Sequence, residues 1–277
     1  MTASFVSVLM PVYNAARYLR EAVESVLAQT HSTLELVAID DASSDGSYEL
    51  LLELAARDPR VRVFRQPHNQ GIVAARNRAF REASPEAELC AILDADDVCE
   101  PDRLALQVEF LRAHPEHALV GGHTLIIDEA SRIIGIRRYP TDYARICKTI
   151  TRYNPIAQPA VMLRRSLLPS SEPYDPAYPR CQDYAPWLRL AAAHPIANLD
   201  RAVLRYRVSQ TQGKRTELRK TLALTIELQR KWLLHPRFVN PFNIAYVAAE
   251  HALLLMPERL VLAMFKRVTY SQLKELE

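Results

Sequence analysis

The run Leu89-Cys90-Ala91-Ile92-Leu93 passes without a break into Asp94-Ala95-Asp96-Asp97, and few folds can accept that sequence. Five consecutive apolar residues read as a strand buried on both faces. Carboxylates at its end are costly to bury unless something pairs with them. In extended backbone Asp94 and Asp96 point to one side and Asp97 to the other. Two readings follow. A hard divalent cation, Mg2+ or Mn2+, could take the carboxylates as oxygen ligands and share substrate phosphates. Alternatively the acids form a solvated strand-to-helix loop in which Asp97 or Asp102 caps the next helix.

The same pattern recurs upstream. Residues 5–10 form a first strand, ended by Pro11, which cannot donate to a central ladder. Ala15 to Ala28 has helical spacing, with Asn14 as its N-cap. Leu34 to Ile39 is a second buried strand, and it runs into Asp40 and Asp41. A turn at 42–47, a helix from Tyr48 to Arg57 and a strand from Val61 to Arg65 follow. A polar turn at 66–71 then leads to a helix from Ile72 to Glu82. Strand–helix alternation of this kind predicts a parallel sheet covered on both faces. Ligands of such sheets bind beyond the carboxyl ends of the strands. Pro11-Val12-Tyr13-Asn14, Asp40-Asp41 and Asp94-Ala95-Asp96-Asp97 should therefore meet on one rim.

The chain lacks the commonest α/β phosphate loops. It has six glycines, no Gly-x-Gly-x-x-Gly after the first strand and no Gly-x-x-x-x-Gly-Lys-Ser/Thr. A bound diphosphate would need a metal or basic side chains for neutralisation. A net charge of +3 over 277 residues gives no support for a nucleic-acid partner. Cys90, Cys99, Cys147 and Cys181 lie far apart without zinc-like spacing, so a reduced, cytoplasmic compartment is expected. No signal peptide is evident, and no stretch reaches the roughly 18–20 apolar residues that span a bilayer.

Beyond Asp97 a helix starting near Pro101 runs to Ala113. Ala118–Ile127 and Arg132–Tyr139 read as a hairpin, so the sheet turns mixed, and Ala160–Leu163 adds a short strand. The Pro- and Tyr-rich stretch 169–179 reads as a mobile or substrate-facing loop rather than a core element. Asp183 opens a helix whose apolar face is Trp187, Leu190 and Ala191, a position where an aspartate often serves only as an N-cap. From Thr216 the chain reads as three helices, about 216–234, 243–256 and 257–273. The last has an apolar stripe flanked by basic residues, which fits core packing or in-plane contact with a membrane.

Five segments, in this order, resemble the glycosyltransferases of family 2. They are Ser7 to Asn14, Ile39 to Ser47, Asn69 to Asn77, Asp94 to Asp97 (an Asp-x-Asp element), and Asp183 to Leu190. The resemblance covers about 4–208. It implies an α/β chain of the GT-A fold, a mixed, mainly parallel sheet flanked by helices. Residues 1–212 would form the transferase domain, with 1–115 binding the nucleotide sugar and 116–212 the acceptor, and 213–277 would be a C-terminal helical extension.

The activity implied is metal-dependent, inverting transfer of a hexosyl-type sugar from a nucleotide diphosphosugar, with UDP the default nucleotide. The acceptor would be a glycan, lipid-linked or other hydroxyl, in polysaccharide, glycolipid or cell-surface glycan synthesis. The resemblance makes Asp183 the general base and Asp96, with Asp94, the Mg2+ or Mn2+ ligand. Pro11, Tyr13, Asn14, Asn69 and Gly71 join the donor site, Asp40 or Asp41 reads the base, and Arg76 is either a phosphate contact or a structural ion-pair residue. The chain departs from many relatives at Gln182, where they carry Glu, and at Gln158, where they carry His. The segment 205–211 also lacks a histidine seen in many of them. Two other readings remain open: a catalytically silent sugar-nucleotide or glycan-binding protein on the same fold, and a nucleotidyltransferase. The expected setting is the cytoplasm, with peripheral membrane contact through the C-terminal helices.

Overall fold

In the computed structural model, residues 4–208 and 218–255 are described. The first strands, β1 (Val6–Val12) and β2 (Leu34–Asp40), are buried along their whole length, as a strand covered on both faces must be. With β3 (Val61–Arg65) and β4 (Leu89–Ile92) they form a parallel quartet in the order β3-β2-β1-β4. Side-chain alternation sends Leu9, Val37, Ile39, Cys90 and Ile92 into one core layer. It sends Val8, Met10, Val12, Leu36, Ala38 and Ala91 into the other. Helices α1 (Ala16–Leu27) and α2 (Ser47–Arg57) cover the second layer, and α3 (Ile72–Glu82) the first.

Beyond β4 the sheet becomes mixed. The short strand β5 (Val98–Cys99) and helix α4 (Arg103–Ala113) precede the hairpin of β6 (Leu119–Ile127) and β7 (Ile133–Arg137). Helix α5 (Tyr143–Thr149), strand β8 (Met162–Arg164), helix α6 (Tyr184–Ala193) and the long strand β9 (Ile196–Arg207) follow. The sheet runs β3-β2-β1-β4-β8-β6-β9-β5, with β7 beside β6. Helices α7 (Leu218–Trp232) and α8 (Pro241–Leu255) close the described chain. Leu228 of α7 and Phe238 join the core layer that holds Trp187 of α6. The boundary expected at 212–213 and the helix expected at 257–273 lie outside the described residues.

Four local expectations are corrected. β1 does not stop at Pro11: it pairs with β2 through Val12, whereas its pairing with β4 ends at Leu9↔Ile92. Leu9 accepts from Leu93 on the β4 side, and residues two apart in a strand face the same neighbour, so the missing N–H of Pro11 falls where β4 has already left. Asn14 does not cap α1. Its φ of 49° is left-handed, and its side chain instead accepts from the Ser44 N–H at 2.9 Å. The α1 N-terminus is satisfied from the 43–47 turn, with Asp45 accepting from Ala16 N–H and the Ser47 hydroxyl from Ala15 N–H.

Two further readings fail downstream. The stretch 169–179 is anchored rather than mobile, because Tyr174 is 2% exposed and its backbone exchanges hydrogen bonds with the Asn77 side chain at 2.8 and 3.0 Å. The residues of β9, to which the sequence pattern assigns no element, form the longest strand described. Neither Asp97 nor Asp102 caps α4 through its side chain. Cys90 is a core residue, its thiol pushed up to about 12 mainly by burial.

Candidate active site

The seam where β1 and β4 part opens into a cleft of about 670 Å³, within the range of small-molecule sites. Pro11, Tyr13, Asn14, Asp41, Asn69, Gly71, Arg76, Asp94 and Asp96 all line it. They arrive from three strand ends and from the N-terminus of α3. Asp40 and Asp183 are not among the lining residues.

The adjacent acids of the second strand end divide their work. Asp40 is wholly buried, accepts from Ser43 N–H and pairs with Arg65 at 3.2 Å, so it braces the turn. Asp41 sits in the wall of the cleft. Its carboxylate accepts from the backbone N–H groups of Gln70 and Gly71, both at 2.8 Å, and from the Gln66 amide at 2.6 Å. Gly71 meets that geometry at φ +86°, ψ 164°, a region essentially reserved for glycine. The polar turn 69–71 is thereby pulled against the acid that faces the cleft.

At the floor, the Asp94 carboxylate accepts from Arg76 Nη2 at 2.7 Å. Arg76 is 5% exposed, and its Nε and Nη1 have no partner. Burial works against its charge, but Asp94, with Tyr174 and Asp183 contributing, raises its pKa above the ordinary value. The Tyr174 ring lies 5.7 Å from the guanidinium carbon, and its hydroxyl is pushed up to about 12, chiefly by burial.

Asp97 faces the interior. Its Oδ1 accepts from the Arg207 N–H at 2.8 Å, while its Oδ2 is buried without a partner. Burial and then the negative charges of Asp94 and Asp96 push its carboxyl well above the usual range. That repulsion is the local signature of an acid cluster suited to a cation. Asp94 and Asp96, both partly exposed in the cleft, supply the hard oxygen donors that Mg2+ or Mn2+ prefers. Arg103, fully buried, fixes the base of this loop by donating to the carbonyls of Ile92 and Val161.

Asp183 stands at the start of α6 without capping it through its side chain. Its Oδ2 instead accepts from Asn154 Nδ2 at 2.8 Å. Burial raises its pKa, Arg76 pulls it down, and Asp94 adds to the rise, so Arg76, Asp94 and Asp183 share one electrostatic neighbourhood. Gln158 donates to the Tyr174 hydroxyl, and the carbonyl oxygens of Gln158 and Gln182 are both buried without a partner.

Tyr206 of β9 also lines the cleft, its hydroxyl pKa raised by burial and by Asp97, Asp94 and Asp96. Sequence reasoning missed it, along with Tyr18 and Arg207. Arg207 is 1% exposed and donates to the carbonyls of Asp96 and Asp128, the Ser131 hydroxyl and Glu21, with its guanidinium 4.3 Å from the Tyr18 ring. The available signal was Arg-Tyr-Arg at 205–207, an alternation that a strand would place on opposite faces.

The mixed sheet, its helices and the acid-floored seam define a glycosyltransferase fold of the GT-A type. The mannosyltransferase PcManGT of Pyrobaculum calidifontis, solved with GDP-Man and Mn2+, superimposes with a TM-score of 0.64 at 20% identity, covering 98% of this chain and 81% of that one. The sequence profile of glycosyl transferase family 2 matches residues 7–168, and the chain belongs to that family. The Escherichia coli protein WfgD, a UDP-Glc:alpha-D-GlcNAc-diphosphoundecaprenol beta-1,3-glucosyltransferase, is 28% identical over 246 residues, 87% of this chain and 89% of its own. An uncharacterised glycosyltransferase of Haemophilus influenzae is 27% identical over 216 residues, 75% of this chain and 66% of its own length. Across three glycosyltransferase relatives from Haemophilus influenzae and Rickettsia felis, the chain spans between 33% and 66% of their length.

Proposed function

We propose that this chain transfers a sugar from a nucleotide diphosphosugar, with UDP favoured, to an acceptor hydroxyl with inversion at the anomeric carbon. The observation that carries the reading is the Arg76–Asp94 pair at the cleft floor with Asp183, outside the lining, in electrostatic reach of both: one group for the leaving diphosphate, one for a cation and one for the acceptor's proton. Asp41 and the 69–71 turn, with Pro11 and Tyr13, provide a wall for the nucleoside. Asp94 and Asp96 would hold Mg2+ or Mn2+, which when bound would supply Lewis-acid stabilisation of the departing diphosphate. Arg76 would turn the N–H groups of its unpartnered Nε and Nη1, both buried here, to the same phosphates. Asp183, oriented by Asn154, takes the proton from the attacking hydroxyl as general base.

WfgD's named donor supports a UDP-sugar here, and its lipid-linked acceptor supports an acceptor of that chemistry in glycolipid, polysaccharide or cell-surface glycan synthesis. Peripheral membrane contact fits such an acceptor. Among the described residues no helix is long and apolar enough to cross a membrane. Leu234 and Phe242, at 74% and 78% exposed, nevertheless stand out near the exposed Arg237. The deciding experiment is a thermal-shift screen of UDP- and GDP-sugars with and without Mn2+, followed by transfer assays on the hits. A true donor at a hundredfold excess over its Kd stabilises by about 2.7 kcal/mol. A protein that no nucleotide sugar stabilises is not this enzyme.

A further inference from the structure

Among the described residues, acidic side chains outnumber basic ones in the lining of the cleft. Three carboxylates line it, those of Asp41, Asp94 and Asp96, against one guanidinium, that of Arg76, which is the single cationic side chain among the described lining residues. That guanidinium is already committed to Asp94 at 2.7 Å, and its burial leaves little water to screen the pair. Two of its nitrogens, Nε and Nη1, remain buried without partners. Buried donors without a partner are uncommon and call for an explanation.

We infer that the Arg76–Asp94 ion pair is an internal switch that makes the diphosphate and the divalent cation bind interdependently. This rests on the donor-site reading above and specifies how that site is regulated. A diphosphate arriving alone meets a guanidinium already shared with Asp94. A cation arriving alone meets an Asp94 already neutralised by Arg76. With both present, Arg76 turns its charge and the N–H groups of Nε and Nη1 to the phosphates, and Asp94 is released to the cation. Each ligand removes the obstacle to the other, and by linkage the coupling is the same in both directions. The pair also guards the empty site, because neither free cations nor free phosphate should occupy it well singly.

Isothermal titration with Mn2+ alone, inorganic pyrophosphate alone, and each in the presence of the other tests this in the wild-type chain, R76Q, D94N and the double variant. R76Q should bind Mn2+ alone about fivefold or more tighter than wild type, while binding pyrophosphate more weakly. D94N, in metal-free buffer, should bind pyrophosphate more tightly, and that gain should vanish in the D94N/R76Q background. Simple removal of a negative charge would give additive effects, whereas a broken pair gives non-additive ones. Equal or weaker Mn2+ binding by R76Q, with its melting curve unchanged, overturns the switch. So does an additive cycle in variants that melt as cooperatively as wild type. If R76Q unfolds, the D94N arm decides alone, and unchanged or weaker metal-free pyrophosphate binding overturns the switch. If neither pyrophosphate nor UDP binds the wild-type chain under any condition, the donor-site reading falls with it. Binding with the wrong sign removes only the switch.

Discussion

The main-chain N–H of Arg207 donates to Oδ1 of Asp97 at 2.8 Å, tying the end of β9 to the acidic loop after β4. The Arg207 guanidinium reinforces the tie through the Asp96 carbonyl, at 2.8 Å, and reaches on to Glu21 and Asp128. Replacing Arg207 with Met removes the bonds to these acceptors while the main-chain bond to Asp97 persists. Glu21 is 41% exposed and is rehydrated once the guanidinium is gone, so the loss comes mainly from the carbonyls left unpaired, about 1–3 kcal/mol. Urea unfolding should register a loss of that size for Arg207→Met. Calorimetry on the folded fraction should show weakened Mn2+-dependent nucleotide binding.

Asp183→Asn should reduce transfer by roughly 10²–10⁴-fold, the range for removal of a general base. The Asn154 bond can be kept by the amide oxygen, so donor affinity should stay within about twofold, a margin below the tenfold worth 1.4 kcal/mol. Steady-state rates together with nucleotide-sugar titrations check both halves. Near-normal turnover would remove Asp183 from the mechanism.

The raised pKa of Asp183 has a definite sign for activity and for stability. A base must be ionised, so kcat/KM should rise with pH, with its acidic limb displaced above that of an ordinary aspartate. For folding, the native state holds this proton more tightly than the unfolded chain. The contribution is therefore full below the unfolded-state pKa and is lost as pH rises through the folded-state value. Asp183→Asn should accordingly melt higher than wild type at neutral pH, with the difference shrinking in acid. Thermal melts across that range test the sign.

Gly71→Ala isolates backbone strain, since no atom lies within 4 Å of the Cβ it would gain. At φ +86° and ψ 164° the alanine should cost roughly 1–3 kcal/mol. The strain should also disturb the N–H groups that Asp41 accepts, weakening nucleotide binding alongside stability. A denaturant midpoint unchanged from wild type would contradict this.

The N-terminal half of the fold is legible in the sequence because its signals are local. β4 is an uninterrupted apolar run, β1 and β2 are mostly apolar with Ser7 and Glu35 inside them, and α1 to α3 have helical spacing between the strands, so the strand ends at Pro11, Asp41 and Asp94 could be placed on one rim. Asp40 and Asp41 could not be separated by reading alone, because the choice depends on Arg65 and on the 70–71 amides. β9 was hidden for a different reason. Asp200 and Arg201 interrupt its apolar pattern, and its pairing with β6 carries register shifts. With it went Tyr206, which lines the cleft, and Arg207, which braces the acidic loop, both placed only through pairing with strands distant in sequence. Tyr174 was misjudged because Pro and Tyr density marks loops, while its anchoring comes from Asn77 on α3 and from Gln158.

Pro11 has a consequence for the freedom of this scaffold to change. One more hydrogen bond between β1 and β4 would begin to zip the seam shut, and proline is the residue that cannot donate it. The mouth of the cavity is kept open by a missing atom rather than by bulky props. Side chains around the rim can therefore be exchanged for a different nucleotide or sugar without the sheet healing across the gap.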